Sequence, residues 1–134
     1  MITIEKLVLK EVKEYLKNNV DYDLVVVSKA LREPKKFPYV LIEEYENNYR
    51  SRTVDGVESC SNLVYTVEIY SKDTNNNTKE NINCELEQMV DTVLSKRFGM
   101  ARQSRQKLPN LDTDILRTGM RYECVINDTR RRIY

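Results

Sequence analysis

Asn62-Leu63-Val64-Tyr65-Thr66-Val67-Glu68-Ile69-Tyr70 is the stretch that decides the fold. Leu63, Tyr65, Val67 and Ile69 fall on one side of an extended chain, and Thr66 and Glu68 on the other. That period of two is the pattern of a strand in a sheet covered on one face. Upstream, Val54-Asp55-Gly56-Val57 carries an Asp-Gly dipeptide, a favoured hairpin turn, so the chain reverses there. Ahead of the polar residues 47–52, the spacing predicts a strand over about residues 39–46, entered from a loop marked by Pro34, Lys35, Lys36 and Pro38. Leu24-Val25-Val26-Val27 is short, β-branched and bounded by Asp23 and Ser28, which suits another strand. Downstream, residues 71–78 read as a surface loop, and residues 100–108 and 115–126 as two further strands separated by Pro109-Asn110-Leu111-Asp112. In the last of these, Leu116, Met120, Tyr122, Cys124 and Ile126 alternate with Arg117, Arg121 and Glu123.

Two segments follow the helical period instead. Ile4, Leu7, Val8, Val12, Tyr15 and Leu16 predict an amphipathic helix over about residues 4–17, with Thr3 as a cap and Asn18-Asn19 as its end. Ile82, Leu86, Met89, Val90, Val93, Leu94 and Phe98 predict a second over about residues 79–98, with Glu80, Glu85 and Glu87 early, Lys96-Arg97 late and Gly99 as the C-terminal cap. Runs of strands divided by two helices indicate an α+β fold: a largely antiparallel sheet of four to five strands with two helices packed on one face. The helices are expected to bury Leu7, Val12, Leu86, Val90 and Val93, in a single domain spanning residues 1–134.

Composition narrows the chemistry. With no histidine among 134 residues, the usual partner of a nucleophilic serine or cysteine and the commonest zinc ligand are missing. Three glycines, Gly56, Gly99 and Gly119, cannot spell a phosphate-binding loop. The closest metal-nuclease set, Asp55, Glu68 and Lys72, lacks the tight acid-x-lysine spacing of such enzymes. No catalytic, cofactor-binding or metal-ligating residue is therefore assigned, and no enzymatic activity is expected. Cys60, Cys84 and Cys124 are odd in number and widely spaced, which suits reduced, buried or half-buried thiols. The longest apolar runs, of about four residues, fall far short of the ~20 that cross a bilayer. Met1-Ile2-Thr3-Ile4-Glu5-Lys6 has no basic stretch leading into an apolar one, so no signal peptide and no membrane partner are expected.

The net charge of +1 hides an asymmetry: residues 1–95 hold 12 basic and 17 acidic side chains, and residues 96–134 hold 10 and 4. A bipolar protomer of this kind can offer complementary surfaces to identical neighbours. The residues expected at such an interface are Glu43, Glu44 and Glu46 on the acidic side, Glu68, Arg117 and Arg121 on the solvent face of the sheet, and the tail Arg130, Arg131, Arg132 and Tyr134. The tail's adjacent arginines repel one another and are expected to become ordered only against a neighbour's carboxylates.

Several of these segments together resemble the tail terminator or tail-completion (neck) proteins of long-tailed phages. They are the short first helix ending at Asn18-Asn19, Phe37-Pro38-Tyr39-Val40-Leu41-Ile42-Glu43, the strand from Leu63 to Lys72, the helix through Met89 and Val93, and Thr118-Gly119-Met120-Arg121-Tyr122-Glu123-Cys124. The resemblance covers about the whole chain and rests on element order and size. It implies a virion protein of the tail neck, assembled in the host cytoplasm, that forms a ring, usually a hexamer. Such a ring caps the tail tube, ends elongation and joins the tail to a head-side connector or collar protein. Its partners are its own copies, the tail tube protein and that connector, with DNA only passing through the lumen; no cofactor is implied. Another head-to-tail connector is the alternative within that class. A small nucleic-acid-binding regulatory domain, using Arg102, Arg105, Lys107 and Arg130 to Arg132 on phosphates, is the alternative outside it.

Overall fold

The computed structural model describes residues 3–28, 36–52 and 58–127. The order is α1 (Glu5–Asn19), β1 (Val25–Val27), β2 (Tyr39–Arg52), β3 (Glu58–Lys72), α2 (Lys79–Asp91) with a π-helical extension (Thr92–Arg97), β4 (Ala101–Leu108) and β5 (Ile115–Asn127). The five strands form one sheet in the order β1-β2-β3-β5-β4. Only the β1–β2 pair is parallel; the other three pairs are antiparallel. This is the expected α+β architecture, a mostly antiparallel sheet with two helices on one face.

The alternation that began the reading is realised in the core. Leu63, Tyr65, Val67 and Ile69 of β3 join Val40 and Ile42 of β2 and Met120, Tyr122, Cys124 and Ile126 of β5 in one apolar cluster. Val8, Val12 and Leu16 of α1 and Ile82, Leu86, Val90, Val93 and Leu94 complete it from the helix layer. Leu7, expected in this core, is instead 49% exposed. The buried positions of α1 recur every fourth residue from Ile4 to Leu16, and at about 100° per residue Leu7 lies well off the centre of that stripe.

Caps and ends follow local chemistry with small departures. Thr3 sits one residue outside the formal cap position, which Ile4 holds without a side-chain bond, yet its hydroxyl accepts from the Glu5 N–H at 3.3 Å. The hydroxyl of Thr78 accepts from the Asn81 N–H and caps α2. The expected single α-helix over 79–98 changes character at Thr92, whose β-branched side chain donates back to the Gln88 carbonyl at 3.0 Å; such back-bonding loosens a helix. Beyond it the turns widen, the Phe98 N–H reaching the Val93 carbonyl, and Gly99 ends the element with φ 65°, a backbone region that glycine enters without a Cβ clash. The strands run longer than expected: the polar residues 47–52 belong to β2, paired with β3 from Tyr39↔Tyr70 to Arg52↔Glu58. The chain reverses between those last two partners, and the Asp55-Gly56 turn itself lies outside the described residues. Cys124 is buried and Cys60 half-buried as expected, whereas Cys84 is exposed on the outer side of α2. None of the described helices is long and apolar enough to cross a membrane.

Candidate functional site

Neither helix packs on the second face of the sheet, where the structure gathers five of the six expected interface residues that are described: Glu43, Glu46, Glu68, Arg117 and Arg121. Register rows define it: Tyr39↔Tyr70↔Arg117↔Leu108, Leu41↔Glu68↔Gly119↔Gln106, Glu43↔Thr66↔Arg121↔Ser104 and Glu46↔Val64↔Glu123↔Ala101. Thr66, Glu68, Arg117, Arg121 and Glu123 thus share one surface, as their alternation with core residues requires.

The charges on this face are arranged, not scattered. Glu68 accepts from the Arg117 guanidinium on one oxygen and from the Tyr70 hydroxyl at 2.9 Å on the other. The same guanidinium lies 5.6 Å from the Tyr70 ring centre and reaches the Pro109 carbonyl at 3.3 Å. Tyr70 stands edge-on to Tyr39 at 5.7 Å, and its phenol is pushed up to about 12, first by burial and then by the bond to Glu68. Arg121 lies 5.6 Å from the Tyr45 ring, Asn62 donates to Glu123 at 3.2 Å, and the Lys72 ammonium stands 5.0 Å from the Phe37 ring. Tyr39, Leu41, Val64 and Val125 on this face are 2 to 5% exposed although neither helix packs on it. The face thus combines paired donors and acceptors with aromatic edges beside buried apolar residues.

The acidic run 43–46 is split by a bulge. Pairing passes from Glu44↔Tyr65 to Glu46↔Val64, leaving Tyr45 as the extra residue. Glu43 and Glu46 consequently lie on the open face and Glu44 on the helix side, a correction to reading the three as one patch. There the Glu44 carboxylate accepts from the Thr3 hydroxyl at 3.0 Å and from the Tyr65 hydroxyl at 3.1 Å. Burial and that carboxylate raise the Tyr65 phenol far above its ordinary value. Burial, followed by repulsion from Glu44 and Glu43, raises the Glu5 carboxyl, which marks this corner as acidic. Arg130, Arg131, Arg132 and Tyr134 lie outside the described residues.

The residues of the closest metal-nuclease set are placed apart or hold other partners. Glu68 is occupied by Arg117 and Tyr70, Lys72 by Phe37, and Asp55 lies outside the described residues. Among the described residues no three Cys, Asp or Glu side chains converge to hold a metal ion. The basic strand β4 is exposed from Ala101 to Lys107, and Arg105 bonds Glu87 of α2 at 2.6 Å. Sequence reasoning missed Tyr39 and Tyr70 as parts of the open face, since the alternation of residues 62–70 assigned no side to Tyr70. Neither any protein-family model nor any curated protein matches this chain.

Proposed function

We propose that this chain is a structural, non-enzymatic subunit that closes into a homo-oligomeric ring of the phage-neck type. Such a ring caps a tail tube, ends its elongation and joins it to a head-side connector. The observation that carries the proposal is the sheet face on which neither helix packs, where Glu68, Arg117, Arg121, Glu123, Tyr45 and Tyr70 lie beside the buried Tyr39, Leu41, Val64 and Val125. A face so organised suits contacts repeated between identical copies and against stacked rings. The order α1, β1 to β3, α2, β4 and β5 supports the resemblance to tail terminators. On this reading its partners are its own copies, the tail tube protein and the connector; it sits in the virion neck, and DNA only passes through its lumen.

A second reading has one observation in its favour: the exposed cations of β4 would suit phosphates, although Arg105 is already engaged by Glu87. Light scattering and negative-stain imaging across a salt series separate the two. Ring-sized particles whose size holds through moderate salt support the neck reading. A monomer that binds DNA with an affinity falling steeply with salt overturns it.

A further inference from the structure

Helix α1 sorts its charges by sign. Lys6, Lys10, Lys13 and Lys17 are all exposed, and at about 100° per residue they fall within an arc of roughly 60°. That arc lies roughly 130° round the axis from Val8, Val12 and Leu16, the residues through which α1 joins the core. Glu5, Glu11 and Glu14 stand off it to either side. We infer that this lysine stripe is a contact for the phosphate backbone of a DNA duplex and that it faces the channel of the ring. The placement rests on the ring reading and names the surface that meets the passing DNA.

The stripe is electrostatically unanswered within the chain. None of the four lysines makes an ion pair among the described residues. No glutamate of α1 stands four residues ahead of a lysine, the spacing that pairs opposite charges along a helix, and Glu11 is taken by Arg97 at 2.9 Å. Instead Lys6 and Lys10, Lys10 and Lys13, and Lys13 and Lys17 are neighbours at i,i+4 or i,i+3, and each like-charged pair weakens the helix. A row of anions laid along the stripe removes that repulsion, so the arrangement destabilises the empty helix and is relieved when occupied.

Its shape fits one kind of anion best. At 1.5 Å per residue the stripe is straight and about 17 Å long, the length of about five phosphates on one strand of a duplex. Cations clustered along one helix face are the electrostatic footprint of a nucleic-acid contact. No aromatic side chain stands among the lysines to stack on unpaired bases, which favours a duplex over a single strand. A lipid surface also needs an apolar face beside the cations, and that of α1 is buried in the core, with only Leu7 exposed. Lysine contacts to phosphate carry no sequence information and are weakened by salt, so a duplex can slide along them.

The test measures binding of a mixed-sequence DNA duplex to the assembled full chain across a salt series, with particle size followed by light scattering. One variant carries Lys6→Gln, Lys10→Gln, Lys13→Gln and Lys17→Gln; glutamine matches lysine in helix propensity, so the helix is kept. A control carries Arg102→Gln and Lys107→Gln on β4. The α1 variant is expected to form particles of wild-type size, to lose at least tenfold in affinity at low salt, and to flatten the plot of log affinity against log salt by about 0.9 for each lysine lost from contact. The β4 control should bind as wild type does. Amine labelling of wild-type particles gives a readout independent of any variant: the duplex should protect Lys6, Lys10, Lys13 and Lys17. Rings that bind no duplex, that bind it equally without the stripe, or that lose it through the β4 control overturn the inference and leave the ring reading intact. So does tighter binding to polyglutamate or to phosphatidylserine vesicles, which assigns the stripe to an acidic protein or a lipid surface. An α1 variant that no longer assembles places the stripe between subunits and overturns it as well. A wild-type chain that stays monomeric at high concentration overturns the ring reading and the channel contact with it.

Discussion

Replacing Asn83 with alanine should destabilise the fold by about 2–4 kcal/mol, although the residue is polar and sits among apolar side chains. Asn83 is 1% exposed on the face of α2 that meets the sheet. Its amide nitrogen lies 3.3 Å from the carbonyls of Ile69 on β3 and Leu116 on β5 and 3.3 Å from the Thr118 hydroxyl, and its oxygen accepts from the Ser71 hydroxyl. Two amide protons shared among three acceptors amount to about two bonds, and the Ser71 bond is a third; each contributes roughly 0.5–1.5 kcal/mol net. Alanine removes all three and leaves buried acceptors without their donor, while Ser71 keeps a route to the Lys79 carbonyl at 3.2 Å, which limits the loss. Asn83→Asp should cost more than alanine, since it turns a carboxylate oxygen toward two carbonyls in a site closed to water. Urea titration followed by circular dichroism gives the difference as a shift in midpoint at constant slope. A cycle with Ser71→Ala should show a coupling of about 1 kcal/mol between the two side chains. An alanine variant within about 0.5 kcal/mol of wild type would refute the reasoning, because the helix would then be held to the sheet by apolar contact alone.

Leu86→Ala, at a fully buried position, should cost about 2–5 kcal/mol in chemical denaturation, whereas Leu7→Ala should stay within about 0.5 kcal/mol; equal losses would contradict the orientation of α1. The phenols of Tyr22 and Tyr70 are pushed up to about 12 by burial first, and those of Tyr65 and Tyr122 higher still. A folded-state value above the unfolded one gives a contribution fully present below pH ~10 and lost as pH rises through that window, so urea midpoints should fall between pH ~9 and ~11, with late tyrosinate absorbance. An unchanged midpoint over that range would mean that these hydroxyls reach water. Deleting residues 130–134 should leave the melting temperature of the monomer nearly unchanged and weaken ring formation; normal rings from the truncated chain would remove the tail from the interface.

The sequence by itself determined the architecture, because alternation and helical spacing are properties of one strand or helix at a time. Leu63, Tyr65, Val67 and Ile69 could face only one layer, and once they did, Thr66 and Glu68 were committed to the other face, with Arg117, Arg121 and Glu123 joining them by the same rule on β5. What alternation cannot register is a single extra residue. The bulge at Tyr45 reverses the facing of Glu46, Asn47 and Asn48, and so Glu44 bonds Thr3 and Tyr65 on the helix side while Glu43 and Glu46 reach the open face. Leu7 and Asn83 show the same limit for helices. Periodicity marks a broad apolar stripe, but the rotation of α1 that leaves Leu7 at the surface and the backbone carbonyls that make Asn83 welcome beneath α2 are fixed only when helix meets sheet. The order β1-β2-β3-β5-β4, which sets the basic strand β4 at one edge and the apolar β1 at the other, likewise arises from pairings between residues as far apart as Cys60 and Asn127. Local patterns carry the faces of each element; which faces and edges become neighbours is a property of the assembled sheet.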